Sequence, residues 1–225
     1  MIATQIVRDI HLPAWDTHFR GQIEKGPLFL GKGTYQFSKL ERALAFAKRR
    51  GHAVDIGAHV GLWTRVLAAE FTHVTAFEPM PDCADCFEMN VKDLRNITLR
   101  RHALGSNVEV KANGGKVRLS NIATDIASAK VDPHGSVEAD ILTIDSCGLV
   151  GVDFVKVDVE GFEANIIRGG YRTIRRDQPV IIVEQKSRVE IFETSSTAAV
   201  DLLQSWGADI VAAIKGDYLM AWPAA

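Results

Sequence analysis

Two acids and a glycine turn stand where this chain could grip a ligand. Val54-Asp55-Ile56-Gly57-Ala58-His59-Val60-Gly61 reads as the end of a buried strand, a tight turn and a helix opening at about Leu62. Glycines in such a turn tolerate unusual dihedrals and let a ligand approach the backbone closely. Val74-Thr75-Ala76-Phe77-Glu78-Pro79 reads as a second strand whose terminal acid comes about one helix and one strand after Asp55. At that spacing a carboxylate can hold the ribose hydroxyls of a nucleoside. Further along, Asp158 and Glu184 close two more apolar runs, and Glu160 and Glu163 begin the helix between them. Ligands of open α/β sheets bind beyond the C-terminal strand ends, so Asp158 and Glu184 face one crevice.

The turn excludes two cofactor classes. A dinucleotide fingerprint needs Gly-x-Gly-x-x-Gly, but here position 59 is histidine and position 62 leucine, so the second and third glycines are absent. No Gly-Lys-Ser/Thr follows either, which rules out a phosphate-cradling Walker loop. A nucleoside without phosphates fits better, and S-adenosylmethionine has that shape. Its ammonium would meet Asp55 or the carbonyls near Gly57, and its ribose Glu78. Met80 and the His102-Ala103-Leu104 turn would lie by the adenine.

The elements that must position these residues follow from the apolar patterning. Gln5 to Ile10 alternates weakly, as a short edge strand. His11 to Gly33 is polar and aromatic and belongs to no evident layer; residues 1–34 therefore read as an arm, able to cover a cleft, ahead of a main domain at 35–225. In the arm, Trp15, His18 and Phe19 could touch a substrate or anchor the arm. Tyr35 to Arg50 reads as a helix whose basic end Lys48-Arg49-Arg50 suits a C-terminus. A strand ending at Ile56, which Gly51-His52-Ala53 leads into, and strands at 73–77 and 97–101 alternate with helices from Leu62 and Pro81. Val108, Val110, Val117 and Leu119 flank Asn113-Gly114-Gly115, a hairpin signature. Asn121 to Ala139, with Asp125, Lys130, Asp132 and His134, reads as a surface loop near the ligand. Buried strands follow at 152–158 and 179–184, then a helix over 194–206. Two antiparallel strands joined at Lys215-Gly216 end the chain.

On these stretches the chain resembles the class I S-adenosylmethionine-dependent methyltransferases, and within them the FkbM family. The matching segments are Val54 to Gly61, Phe77-Glu78-Pro79, Asn96 to Leu99 with Ala103-Leu104-Gly105, Leu142 to Asp145, Val155 to Glu163 and Pro179 to Glu184. The resemblance implies a Rossmann-like α/β fold: a seven-stranded, mostly parallel sheet in the order 3-2-1-4-5-7-6, strand 7 antiparallel, helices on both faces. A small β-hairpin insertion is expected after strand 3. It also implies methyl transfer to oxygen, commonly a hydroxyl of a sugar or other small metabolite. Asp55, Gly57 and Gly61 would take the roles around the methionine end, and Glu78 the ribose role. The family more often has asparagine where His59 stands.

For such a transfer Asp158 is the leading residue to orient the acceptor hydroxyl or take its proton, and it is also placed to contact the cofactor or cap the next helix. Glu160 and Glu184 are further candidates, and His18 a remote proton acceptor. Lys156 shares a strand face with Asp158 and needs a carboxylate partner. Asp158, Glu160 and Glu184 could bind magnesium through oxygen, yet no diagnostic metal spacing appears, and no metal is expected. Three other functions compete: a nicotinamide-dependent oxidoreductase, a nucleic-acid methyltransferase and a non-catalytic nucleoside-binding module.

Composition narrows these. The chain has 225 residues, 47% apolar and 24% charged, with 26 basic against 28 acidic side chains. A formal charge of -2 gives no electrostatic case for a nucleic-acid partner. Cys83, Cys86 and Cys147 lack the second pair a zinc site needs and read as core thiols. With no signal-like start and no run able to span a bilayer, a cytoplasmic protein without a membrane partner is expected. The sequence leaves its oligomeric state open.

Overall fold

The computed structural model describes residues 2–122, 125–185, 195–214 and 216–223. In chain order the elements are β1 (Thr4–Val7), β2 (Ile10–Pro13), α1 (His18–Lys25), β3 (Leu28–Phe29), β4 (Lys32–Gly33) and α2 (Phe37–Leu44). Then come β5 (His52–Ile56), α3 (Leu62–Glu70), β6 (His73–Phe77), α4 (Pro81–Val91), β7 (Ile97–Arg100), β8 (Ala103–Leu104) and α5 (Asn107–Ala112). They are followed by β9 (Lys116–Ile122), β10 (Asp125–Val131), β11 (Val137–Leu142), a 3-10 turn (Ile144–Cys147) and β12 (Val152–Val157). The rest are α6 (Glu163–Arg168), α7 (Tyr171–Asp177), β13 (Val180–Glu184), α8 (Ala198–Ser205), β14 (Asp209–Ile214) and β15 (Asp217–Ala221).

Seven strands form the main sheet, in the order β14-β15-β13-β12-β5-β6-β7. β7, β6, β5, β12 and β13 are mutually parallel, and β15 runs antiparallel between β13 and β14. All residues of β12 and β13 are buried, as expected of central strands covered on both faces. The two-residue alternation sorts their side chains. Val54, Ile56, Val155, Val157, Ile181 and Val183 enter one core. Ala53, Phe154, Val180 and Ile182 enter the other, beneath α2 and α3. Asp55 and Lys156 share the parity of that second face. No helix among the described residues is long and apolar enough to cross a membrane.

Four expectations need correction. Val108 and Val110 lie on a helix, α5, and not on a hairpin strand. The cause is a capping box: the Ser106 hydroxyl accepts from the Val108 amide at 3.1 Å, and Glu109 reaches back to the Ser106 amide at 2.8 Å. The stretch read as a surface loop contains β10 and β11, which join β9 and β8 in a small sheet of order β10-β9-β11-β8. The helix expected over 35–50 is only α2, and Lys48-Arg49-Arg50 lies beyond it. There Arg50 Nη2 donates to the Leu44 carbonyl at 2.7 Å, while Arg49 pairs with Asp153 at 2.9 Å. Residues 11–33 form β2, α1, β3 and β4, where no layer is evident in the sequence. Thr194, expected to open a helix, and Lys215 lie outside the described residues.

The N-terminal segment is built into the core. β1 and β2 form an antiparallel hairpin, and Ile10, Leu12, Phe19 and Ile23 are buried in the larger core. Asn90 of α4 holds it: its amide donates to the carbonyls of His11 (3.0 Å) and Val60 (2.8 Å) and accepts from the His11 amide (2.7 Å). One side chain thus joins the N-terminal hairpin to the turn after β5. Asn90→Ala would leave these buried groups without partners, so urea denaturation should register a loss of about 3 kcal/mol.

Candidate active site

The C-terminal ends of β5, β6, β12 and β13 open into one cavity of about 1150 Å³, its mouth included. Of the residues singled out in the sequence, Gly57, His59, Glu78, Met80, Ala103, Asp158, Glu160 and Glu184 line it. Asp55, Gly61 and His18 do not. Asp55 points to the α3 side, where Oδ2 accepts from the Thr64 hydroxyl at 2.6 Å and Oδ1 faces Lys156 Nζ at 3.4 Å. It is fully buried and does not line the cavity. Gly61 instead lets α3 start against α4, where a Cβ would fall 2.9 Å from the Phe87 ring. His18 is exposed at the start of α1, and the next residue, Phe19, is the one that faces the cavity.

Gly57 has φ +75°, and a Cβ there would sit 2.0 Å from the Asp158 carbonyl oxygen. The two strand ends therefore approach only because residue 57 has no side chain. Lys156 fastens the same junction. Its ammonium donates to the Gly57 carbonyl at 2.5 Å and lies 3.4 Å from Asp55 and 4.0 Å from Asp158. Burial alone would pull its pKa down, but Asp55 and Asp158 outweigh that and hold it above the usual lysine value.

Glu78 is buried at the end of β6. Its Oε2 accepts from the His59 amide at 2.8 Å and its Oε1 from the Met80 amide at 2.9 Å. Burial pushes its pKa up to about 7, against the pull of these two amides and Lys156. His59 holds a left-handed φ of +55° and packs edge-on against Phe19, ring centroids 4.6 Å apart. Burial first, then Lys156, lowers its pKa to about 3, with Asp158 partly opposing, so the imidazole is neutral at physiological pH. Its buried Nε2 has no hydrogen-bond partner among the described residues.

The cavity has two unlike ends. Beyond β6 and β8 it is apolar, lined by Phe77, Met80, Cys83, Ala103 and Leu104. All three cysteines are buried free thiols, as their spacing suggests, and burial pushes the Cys83 thiol well above its usual range. Beyond β12 and β13 the cavity is acidic. Asp158, Glu160 and Glu184 each offer an oxygen there, all within 4.8 Å of one another, a donor set that would suit a hard cation. The N-terminal segment and the small sheet supply the rest of the wall, through Phe19, Tyr35, Gln36 and Ala129 to Val131.

Tyr35, Gln36 and Trp63 escaped the sequence reading as site residues, since single aromatic or amide residues outside a periodic run carry no positional signal. Of the arm's aromatics, Trp15 anchors, donating its Nε1 to Asp82 at 3.1 Å. Phe19 reaches the cavity because Asp16 Oδ1 caps α1, accepting from the His18 and Phe19 amides at 3.1 Å each.

Fold and cavity together define a Rossmann-like α/β domain with a ligand site at the carboxyl ends of its strands. The methyltransferase FkbM domain matches residues 55–210, and the chain belongs to that family. Among solved structures it is similar to the FkbM methyltransferase of Methylobacillus flagellatus KT, at 18% identity and TM-score 0.49, covering 77% of this chain and 44% of that one. A SAM-dependent methyltransferase from Aquifex aeolicus matches at 14% identity and TM-score 0.44, over 81% of this chain and 89% of that one. Fibrillarin in a complex with Nop5p matches at 12% identity and TM-score 0.50, over 97% and 96% of the two chains. At such identities the likeness concerns the fold alone. No curated protein matches the sequence.

Glu163 sits behind the acidic end as a brace. Its Oε1 accepts from the amides of Val159 (3.2 Å) and Gly161 (3.1 Å), and burial raises its pKa from 4.5 to about 7. The folded state therefore holds a proton that the unfolded chain releases between those two values. This contribution to stability is full below pH 4.5 and is lost as pH rises through 7. Glu163→Gln should flatten that slope, shrinking the stability difference between about pH 5 and pH 8 by on the order of 2 kcal/mol in denaturation curves.

Proposed function

We propose that this protein binds S-adenosylmethionine and transfers its methyl group to a hydroxyl oxygen of a small molecule or glycan. The observation that carries the reading is one cavity with Glu78 on its wall at the end of β6 and Asp158 at the tip of β12. The residues present suit the cofactor. A buried acid on the cavity wall offers a ribose diol an acceptor, an apolar end suits adenine, and the wall residue His59 keeps a buried nitrogen without a partner among the described residues. When bound, S-adenosylmethionine supplies an electrophilic sulfonium methyl.

The chain's own residues would do the remainder. Ionised Glu78 accepts from the two ribose hydroxyls while its backbone partners fix the carboxylate plane. Asp158, Glu160 and Glu184 would hold the acceptor hydroxyl, and Asp158 would take its proton as the oxygen–carbon bond forms and the carbon–sulfur bond breaks, the electron pair leaving with sulfur. Phe19, Tyr35 and the small sheet keep water from that end. The family assignment and the acidic end support this reading. The formal charge of -2 disfavours a nucleic-acid substrate.

Isothermal titration with S-adenosylhomocysteine tests the cofactor, and absence of binding at millimolar ligand would end the reading. Labelled S-adenosylmethionine with cell-extract fractions would then find the acceptor. Since the diol needs the ionised acid, affinity for S-adenosylhomocysteine should weaken as pH falls below about 7, by up to about tenfold per unit. Glu78→Gln should lower the affinity and abolish that dependence. Asp158→Asn should slow methyl transfer about 100-fold or more while leaving S-adenosylhomocysteine binding nearly intact, as kinetics and titration together would report.

A further inference from the structure

We infer that His52 and His73, which open β5 and β6, form a two-histidine site for a divalent transition-metal ion of the zinc class, apart from the cavity. The inference is independent of the cofactor reading. His52 and His73 are register partners on adjacent parallel strands, and Thr75 and Thr98 are register partners on β6 and β7. Register partners share a face of the sheet, and the two-residue period keeps Thr75 on the face of His73. Four polar side chains thus meet at the end of the sheet opposite the cavity, about 13 Å of strand before the cavity residue Ile56. His52 and His73 are half-buried and Thr98 is exposed, so an ion can enter from water.

Both rings turn the same nitrogen to one point. His52 Nε2 lies 2.9 Å and His73 Nε2 3.5 Å from the Thr75 hydroxyl, and His73 Nε2 is 3.4 Å from that of Thr98. His52 Nδ1 is 3.1 Å from the Val150 carbonyl, which can only accept. Nδ1 therefore carries the hydrogen, and the neutral ring keeps a lone pair on Nε2, the arrangement that orients a metal-binding histidine. Thr75 has one hydroxyl hydrogen, and the short contact with His52 takes it. His73 Nε2 is left with contacts too long for a good hydrogen bond. Burial first, then His52, holds the His73 pKa below its ordinary value, which favours the neutral ring that a metal needs. The spacing suits one shared ion. Two imidazoles on a tetrahedral zinc, each nitrogen at about 2.0–2.1 Å, have ring centres about 5 Å apart. Here the centres are 5.1 Å apart. Thr75 Oγ1 and water would complete the shell, and imidazole nitrogen selects zinc-class ions over magnesium. Asp153 steadies the entry to β5, accepting from the Gly51 amide at 2.7 Å.

The test is a calorimetric titration of zinc chloride into the metal-free full chain, with excess magnesium present to occupy oxygen-only sites. The wild-type protein should bind zinc, and His73→Gln should weaken that binding at least about tenfold, since losing a ligand costs no less than losing an outer-shell partner. No zinc binding by the wild-type protein, or an isotherm unchanged in His73→Gln, would overturn the inference. Should the variant fold poorly, nitrogen-15 spectra of the wild-type imidazoles decide, each ring assigned through its own backbone. Of the seven histidines, zinc should shift the Nε2 signals of His52 and His73 alone, and magnesium should move neither. Zinc shifts that miss either of these two rings would refute the site.

Discussion

A buried ammonium holds the centre of this molecule together. Lys156 sits in the middle of the sheet, where every neighbouring strand residue is apolar or acidic, and its charge is tolerable only because Asp55 and Asp158 face it. Those two acids come from β5 and from the tip of β12, so the ion pairs fix the relative height of the strands on which the cavity stands. The Gly57 carbonyl takes one of the lysine's protons, which ties the glycine turn to the same point. Removing Lys156 would leave Asp55 as a buried carboxylate without its cation.

Two kinds of wall enclose the cavity. The floor consists of strand ends and tight turns, with backbone amides and carboxylates fixed by short hydrogen bonds. The roof consists of side chains from distant parts of the chain, Phe19 and Tyr35 with Ala129 to Val131. The family match begins at Asp55, so Phe19, Tyr35 and Gln36 precede it.

The sheet was legible in the sequence because buried parallel strands announce themselves as short, mainly apolar runs, as at 73–77, 152–157 and 180–184. Glu78 and Asp158 were legible as cavity residues because each ends such a run. Asp55 ends no strand; it sits one residue inside β5, and the alternation that puts Ile56 in one core puts Asp55 in the other. Around Val108 the alternating valines promised a strand, but the Ser106–Glu109 cap settled the segment as a helix. The N-terminal segment was hardest to read. Its short strands gain their stability from α4, and Asn90 lies too far along the chain for any local pattern to reveal it.

The placement of β15 has a consequence for how the molecule is assembled. Among the described residues its neighbour β14 pairs with the sheet only through it, and Ile214 lies opposite Asp217, which makes the pair a local hairpin. Hairpins of this kind close quickly, whereas the parallel strands must wait for distant partners. Until the hairpin docks, β13 presents a bare edge of wholly buried residue types, Val180 to Glu184. A newly made chain is then most vulnerable to sticking to its own kind, and shortening it before residue 217 would make that transient hazard permanent.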